Sequence, residues 1–122
     1  MEKQVAKELF DAVQQYGLIR VIRRVLGVKA KLRIGFTKDV LRAPIEELTL
    51  SVRGFNVLKR NNLHTIGDVI DAIQHNELIT LRNLGAKTIR DIKTKIVIFG
   101  YDALSDEDKK AFLLETVKLN SK

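Results

Sequence analysis

Leu81-Arg82-Asn83-Leu84-Gly85-Ala86-Lys87-Thr88-Ile89 is the stretch on which the reading of this chain turns. Leu81 and Leu84 frame a short apolar turn and Gly85 interrupts it. Beyond Ala86, Ile89, Ile92, Ile96 and Phe99 then recur at helical spacing. A short helix, a glycine-containing turn and a new helix start make the pattern of a helix-hairpin-helix. Glycine lets a bound group approach the backbone closely. The amides of a helix's first turn have no partner within the helix, so they can face a phosphate. Lys87 and Thr88 place a charge and a hydroxyl at the same point. The plainer reading is a tight interhelical turn with Lys87 merely solvated, and these residues alone leave both open.

Working outward, Leu48-Thr49-Leu50-Ser51-Val52-Arg53-Gly54-Phe55-Asn56-Val57-Leu58-Lys59 predicts a helix over 52–61. Arg53 and Asn56 are three apart and share a face, while Val57 and Leu58 turn inward. Arginine suits a narrow, electronegative minor groove, and asparagine both donates and accepts at base edges or sugars. The pair fits a surface helix start equally well. Thr65 is a helix cap ahead of Ile66, Val69, Ile70 and Ile73, a short helix is expected over 77–82, and Gly100 is read as the end of the helix that starts at Ala86. Ser105 with Asp108 three residues on is a variant capping box opening a last helix to about Leu119.

Upstream, Ala43-Pro44 breaks the chain, because a residue before proline disfavours the helical region. Val5, Leu9, Ala12 and Val13 predict a first helix that Tyr16-Gly17 closes. Leu18, Ile22, Val25 and Leu26 predict a second, with Arg20, Arg23 and Arg24 mainly on its other face. Over 28–36 the period changes to an alternation of Val28, Ala30, Leu32 and Ile34 with Lys29, Lys31 and Arg33, the pattern of a half-buried strand with no obvious partner in the chain, which leaves pairing across a dimer, a hairpin or a helix open, and 37–42 allows one helical turn. The expected fold is mainly α. It is a bundle of short helices with a helix-hairpin-helix over 44–102, a basic N-terminal extension over 1–43, and a C-terminal helix over 103–122.

Taken together and in order, Pro44-Ile45-Glu46-Glu47-Leu48, Ser51-Val52-Arg53, Asn56, Leu58-Lys59, His64, Ile66-Gly67-Asp68, Asn83-Leu84-Gly85, Lys87-Thr88 and Ile92-Lys93 are similar to the C-terminal domain of the RNA polymerase α subunit, across 44 to about 102. The resemblance implies a compact helical domain that binds the minor groove of A·T-rich DNA and contacts activators and the σ factor. It implies that Arg53 is the principal groove arginine, with Asn56 and Lys59 beside it. Gly85, Lys87 and Thr88 become the phosphate-gripping hairpin, with Asp91 an acid near the same surface and Glu47 a protein contact. Departures stand beside the matches. Val57 replaces a small, polar-capable residue, Ala86 replaces a frequent second lysine, and one residue is inserted between Asp68 and Asn83, which implies weaker DNA affinity. Thr49 replaces an acid used toward the σ factor. The large assembly domain of a polymerase α subunit is not part of this sequence, so the expectation is a stand-alone protein.

Composition frames the same picture. The chain has 122 residues, 45% hydrophobic and 30% charged, with one Pro and seven Gly, which is globular usage. No apolar run approaches a membrane span, no signal-type core follows Met1, and there is no cysteine for a disulfide or thiolate metal site. A cytoplasmic, nucleoid-associated protein without a membrane partner is expected. The net charge of +7 is concentrated over 1–43, where ten Lys/Arg face four Asp/Glu. Arg20, Arg23, Arg24, Lys29, Lys31 and Arg33 are therefore candidates for accessory DNA-backbone contacts or for a homodimer interface. His64 and His75 are eleven apart with no completing ligand, and no phosphate loop, nucleophile elbow or dinucleotide fingerprint occurs, so neither a cofactor nor an enzyme is expected. The expected partners are double-stranded DNA and RNA polymerase, its σ factor or an activator. The rival reading is an adaptor or decoy that contacts those proteins without binding DNA.

Overall fold

The computed structural model describes residues 1–26, 36–82 and 84–120. The expected strand over 28–36 falls almost entirely outside them, as do Lys29, Lys31, Arg33 and Asn83. The helices are α1 (Glu2–Tyr16), α2 (Leu18–Leu26), α3 (Lys38–Arg42), α4 (Val52–Arg60), α5 (Ile66–Gln74), α6 (Ala86–Asp102) and α7 (Asp106–Leu119), and no strand occurs among the described residues. They form two compact units, Met1–Gly35 with Ala103–Lys122, and Phe36–Asp102.

In the first unit α1 packs against both α2 and α7. Lys118 Nζ lies 2.8 Å from Glu2 Oε2, and the Lys110 ammonium sits 5.4 Å over the Phe10 ring, so α1 and α7 run antiparallel. Exposed ion pairs of this kind contribute little. The helices are held by burial of Ala6, Val13, Leu18, Val21, Ile22, Phe112 and Leu113. Ala6 takes the core position beside which Val5 remains 41% exposed, one residue off the apolar face that the sequence predicts. Arg20 and Arg23 are exposed on α2, opposite its buried Val21 and Ile22.

In the second unit Thr37 Oγ1 accepts from the Val40 amide and starts α3, and Ala43 is extended (φ −62°, ψ 141°), as a residue before proline should be. The backbone then runs past the start of α5. Pro44 bridges Thr65, the Ile45 amide donates to the His64 carbonyl at 3.0 Å, and the Ile66 amide donates to the Ala43 carbonyl at 2.9 Å. A 3-10 turn, Ile45–Leu48, buries both its end residues. Thr65 and Asp68 form a complete capping box on α5. The core is Ile45, Leu58, Ile66, Val69, Ile92 and Ile96, each with no accessible surface.

Two expectations are corrected here. The helix expected over 77–82 is a single 3-10 turn, Leu78–Thr80. Gly100 does not end α6, which continues to Asp102. Gly100 is buried, and a Cβ there would come within 2.5 Å of the Phe36 ring, so this glycine serves close packing, not termination.

Candidate nucleic-acid interface

The site is built where the first turns of α4 and α6 meet. Ser51 caps α4, its Oγ accepting from the Gly54 amide at 3.2 Å. That helix buries Val57 and Leu58 and leaves Arg53 and Asn56 exposed. Among the described residues neither the Arg53 guanidinium nor the Asn56 side-chain amide has a hydrogen-bond or ion-pair partner. Gly54, between them, faces α6. A Cβ built on it would lie 3.2 Å from both Ser51 Oγ and Thr88 Cγ2. Thr88 is accordingly half-buried, its methyl acting as a spacer between the two helix starts.

Gly85 occupies the position just ahead of α6, where its carbonyl accepts from the Ile89 amide at 3.0 Å. Its φ is outside the left-handed region, and a Cβ there would meet nothing within 4 Å. Neither backbone conformation nor internal packing therefore demands a glycine. With no side-chain oxygen, Gly85 also offers no cap to the first-turn amides of α6. Lys87, exposed in that turn, has no ion pair among the described residues.

The remaining sequence candidates are distributed differently. The Lys59 ammonium is 2.9 Å from Glu46 Oε2 and 5.5 Å over the Phe55 ring, and this bond holds the Glu46 carboxyl below its usual pKa. Asp91 lies 3.7 Å from Lys95 Nζ, which also donates to the Thr49 carbonyl at 2.6 Å. Glu47 is exposed on an open groove of about 250 Å³ shared with Thr49, Lys95, Ile98 and Phe99. Arg20 and Arg23 belong to the first unit, and Arg24 lies in α2. Sequence reasoning missed Gly54. Its one signal was a glycine inside an otherwise helical pattern, a mark of close approach. Among the described residues no three His, Cys, Asp or Glu side chains gather as metal ligands, and no helix is long and apolar enough to cross a membrane.

Residues 36–97 match the family of C-terminal domains of the bacterial RNA polymerase alpha chain. The protein belongs to that family. Relatives named DNA-directed RNA polymerase subunit alpha are similar across the same part of the sequence. The protein of a Nocardioides species is 43% identical over 60 residues, covering 49% of this chain and 18% of the relative. That of Cutibacterium acnes is 41% identical over 68 residues, covering 56% and 20%. That of an Arthrobacter species is 46% identical over 57 residues, covering 47% and 17%. This chain thus spans no more than about a fifth of the relatives' length. No solved structure matches it.

Proposed function

We propose that this protein binds double-stranded DNA as a transcription-associated, non-enzymatic factor, with Arg53 and Asn56 in an A·T-rich minor groove and the first turn of α6 on the adjoining phosphates. The observation that carries the reading is the meeting of two helix starts at Gly54 and Thr88: one carries Arg53, which has no hydrogen-bond or ion-pair partner among the described residues, and the other follows the open turn at Gly85. Helix N-termini favour anions, and two of them pointing at one strand would add to the charge of Lys87. Groove insertion by Arg53 supplies the base-composition preference, which phosphate contacts cannot. Lys59 and Asp91, each in an ion pair, would act by shaping the surface around these groups.

Arg20 and Arg23, exposed on the first unit, would supply accessory backbone contacts or a homodimer interface. The groove at Glu47, which mixes apolar and charged side chains, supports a contact with RNA polymerase, its σ factor or an activator. Fluorescence-anisotropy titration of the protein and of Arg53→Ala against an A·T-rich and a G·C-rich duplex tests the DNA reading. Tighter A·T-rich binding that disappears in the variant is the expected result. No binding to either duplex at low salt sinks it and leaves the adaptor reading in its place.

A further inference from the structure

The cations of the second unit divide into those that are taken up within the fold and those that are not. Lys59 is held by Glu46, and Lys95 by Asp91 and the Thr49 carbonyl. Lys87, Arg90 and Lys93 are exposed along α6 and have no ion pair or side-chain hydrogen bond among the described residues. Successive members are three residues apart, so each step climbs about 4.5 Å and turns back by about 60° on the helix surface. Asp91 and Lys95 lie on the opposite flank of Lys87, which leaves the Arg90–Lys93 flank free of acid from α6 itself. Nor does either residue serve packing, which α6 does through Ile89, Ile92, Ile96 and Val97.

From this we infer that Arg90 and Lys93 continue the phosphate-binding path away from the Gly85 turn, so that α6 lies along one DNA strand for about two turns of helix. The inference rests on the DNA-binding reading above and adds to it the length and direction of the backbone contact. The row from Lys87 to Lys93 rises about 9 Å; the phosphates of one strand are about 3.4 Å apart in projection on the duplex axis and farther apart along the strand itself, so the row faces about two of them. Such contacts fix register without reading sequence. Their loss should therefore weaken binding to every duplex alike.

The test is the salt dependence of binding by the full-length protein to an A·T-rich and a G·C-rich duplex. It compares the unaltered protein with R90A/K93A and with K38A/R42A, which removes the same charge from exposed positions of α3. Each phosphate contact contributes about 0.9 to the slope of log affinity against log salt. R90A/K93A should reduce that slope by about 1.8 while leaving the ratio of the two affinities intact, and K38A/R42A should leave both as they are. An unchanged slope in R90A/K93A, or an equal loss in both double variants, overturns the inference while the DNA reading stands. Absence of binding by the unaltered protein overturns both.

Discussion

Thr88 Cγ2 fills the space that a side chain on Gly54 would need: a Cβ at residue 54 would sit 3.2 Å from it. Ser51 Oγ lies at the same distance and Ile92 Cδ1 at 3.9 Å, so the Thr88 methyl is one of the groups of α6 that meet α4 at this glycine. Gly54→Ala gains about 1 kcal/mol of helix propensity and loses packing room, so alone it should change stability little. Thr88→Ser removes the opposing methyl and keeps the hydroxyl. In a double-mutant cycle followed by chemical denaturation, the two substitutions together should be more stable than their separate effects add up to, by at least about 0.5 kcal/mol. Simple additivity would mean that the two helix starts are spaced by something else.

Gly85 offers the opposite case. An alanine there meets no atom and no forbidden φ, so Gly85→Ala should leave the denaturation midpoint within about 0.5 kcal/mol of the parent. If a phosphate approaches this backbone, the new methyl obstructs a charge-assisted bond worth about 1.5 kcal/mol or more, and DNA affinity should fall by about tenfold. A variant as stable as the parent that binds DNA equally well would remove Gly85 from the interface.

What the sequence reveals here is mostly local. The cap at Thr65, the break at Ala43-Pro44 and the turn at Gly85 are set by neighbours within four residues, and each was readable from residue type and spacing. Partnerships across the fold were not. Glu46 and Lys59 are thirteen positions apart, and nothing in either segment shows that the lysine will be claimed by that carboxylate. The contact of Gly54 with Thr88 is equally invisible, because a glycine in a helical pattern says that something comes close without saying what. Gly100 shows the cost of that ambiguity: the same signal, near the end of an apolar pattern, reads as a helix stop.

Gly100 accordingly gives a third prediction. A Cβ there would penetrate the Phe36 ring, with three ring carbons within 2.6 Å. Helix propensity favours alanine by about 1 kcal/mol, yet overpacking against an aromatic ring costs about 1–3 kcal/mol. Gly100→Ala should lower the thermal midpoint, and adding Phe36→Leu should recover part of the loss by making room. A Gly100→Ala protein that melts above the parent would mean that the ring moves aside freely.

The last prediction concerns acid. Partial burial of Asp68 would raise its pKa, but the amides of Thr65 and His64 and the Thr65 side chain hydrogen-bond to it and outweigh that effect, so its carboxyl titrates below the ordinary 3.8. A carboxylate whose folded pKa is depressed contributes stability above the unfolded value, and that contribution disappears as pH falls through the folded one. The capping box depends on the ionised form, whose Oδ2 accepts from the amides of both His64 and Thr65 at 3.1 Å. Thr65→Ala should cost about 1 kcal/mol at neutral pH, since the Asp68 amide loses its acceptor. Asp68→Asn should be less stable than the parent at pH 7 and at pH 5, and the gap should close as pH falls below the ordinary carboxylate range. Denaturant midpoints of the two proteins across that range measure the difference directly, and titration of other carboxylates, common to both, cancels. A gap that persists undiminished at the acid end would show that the carboxylate's charge plays no part in holding the start of α5.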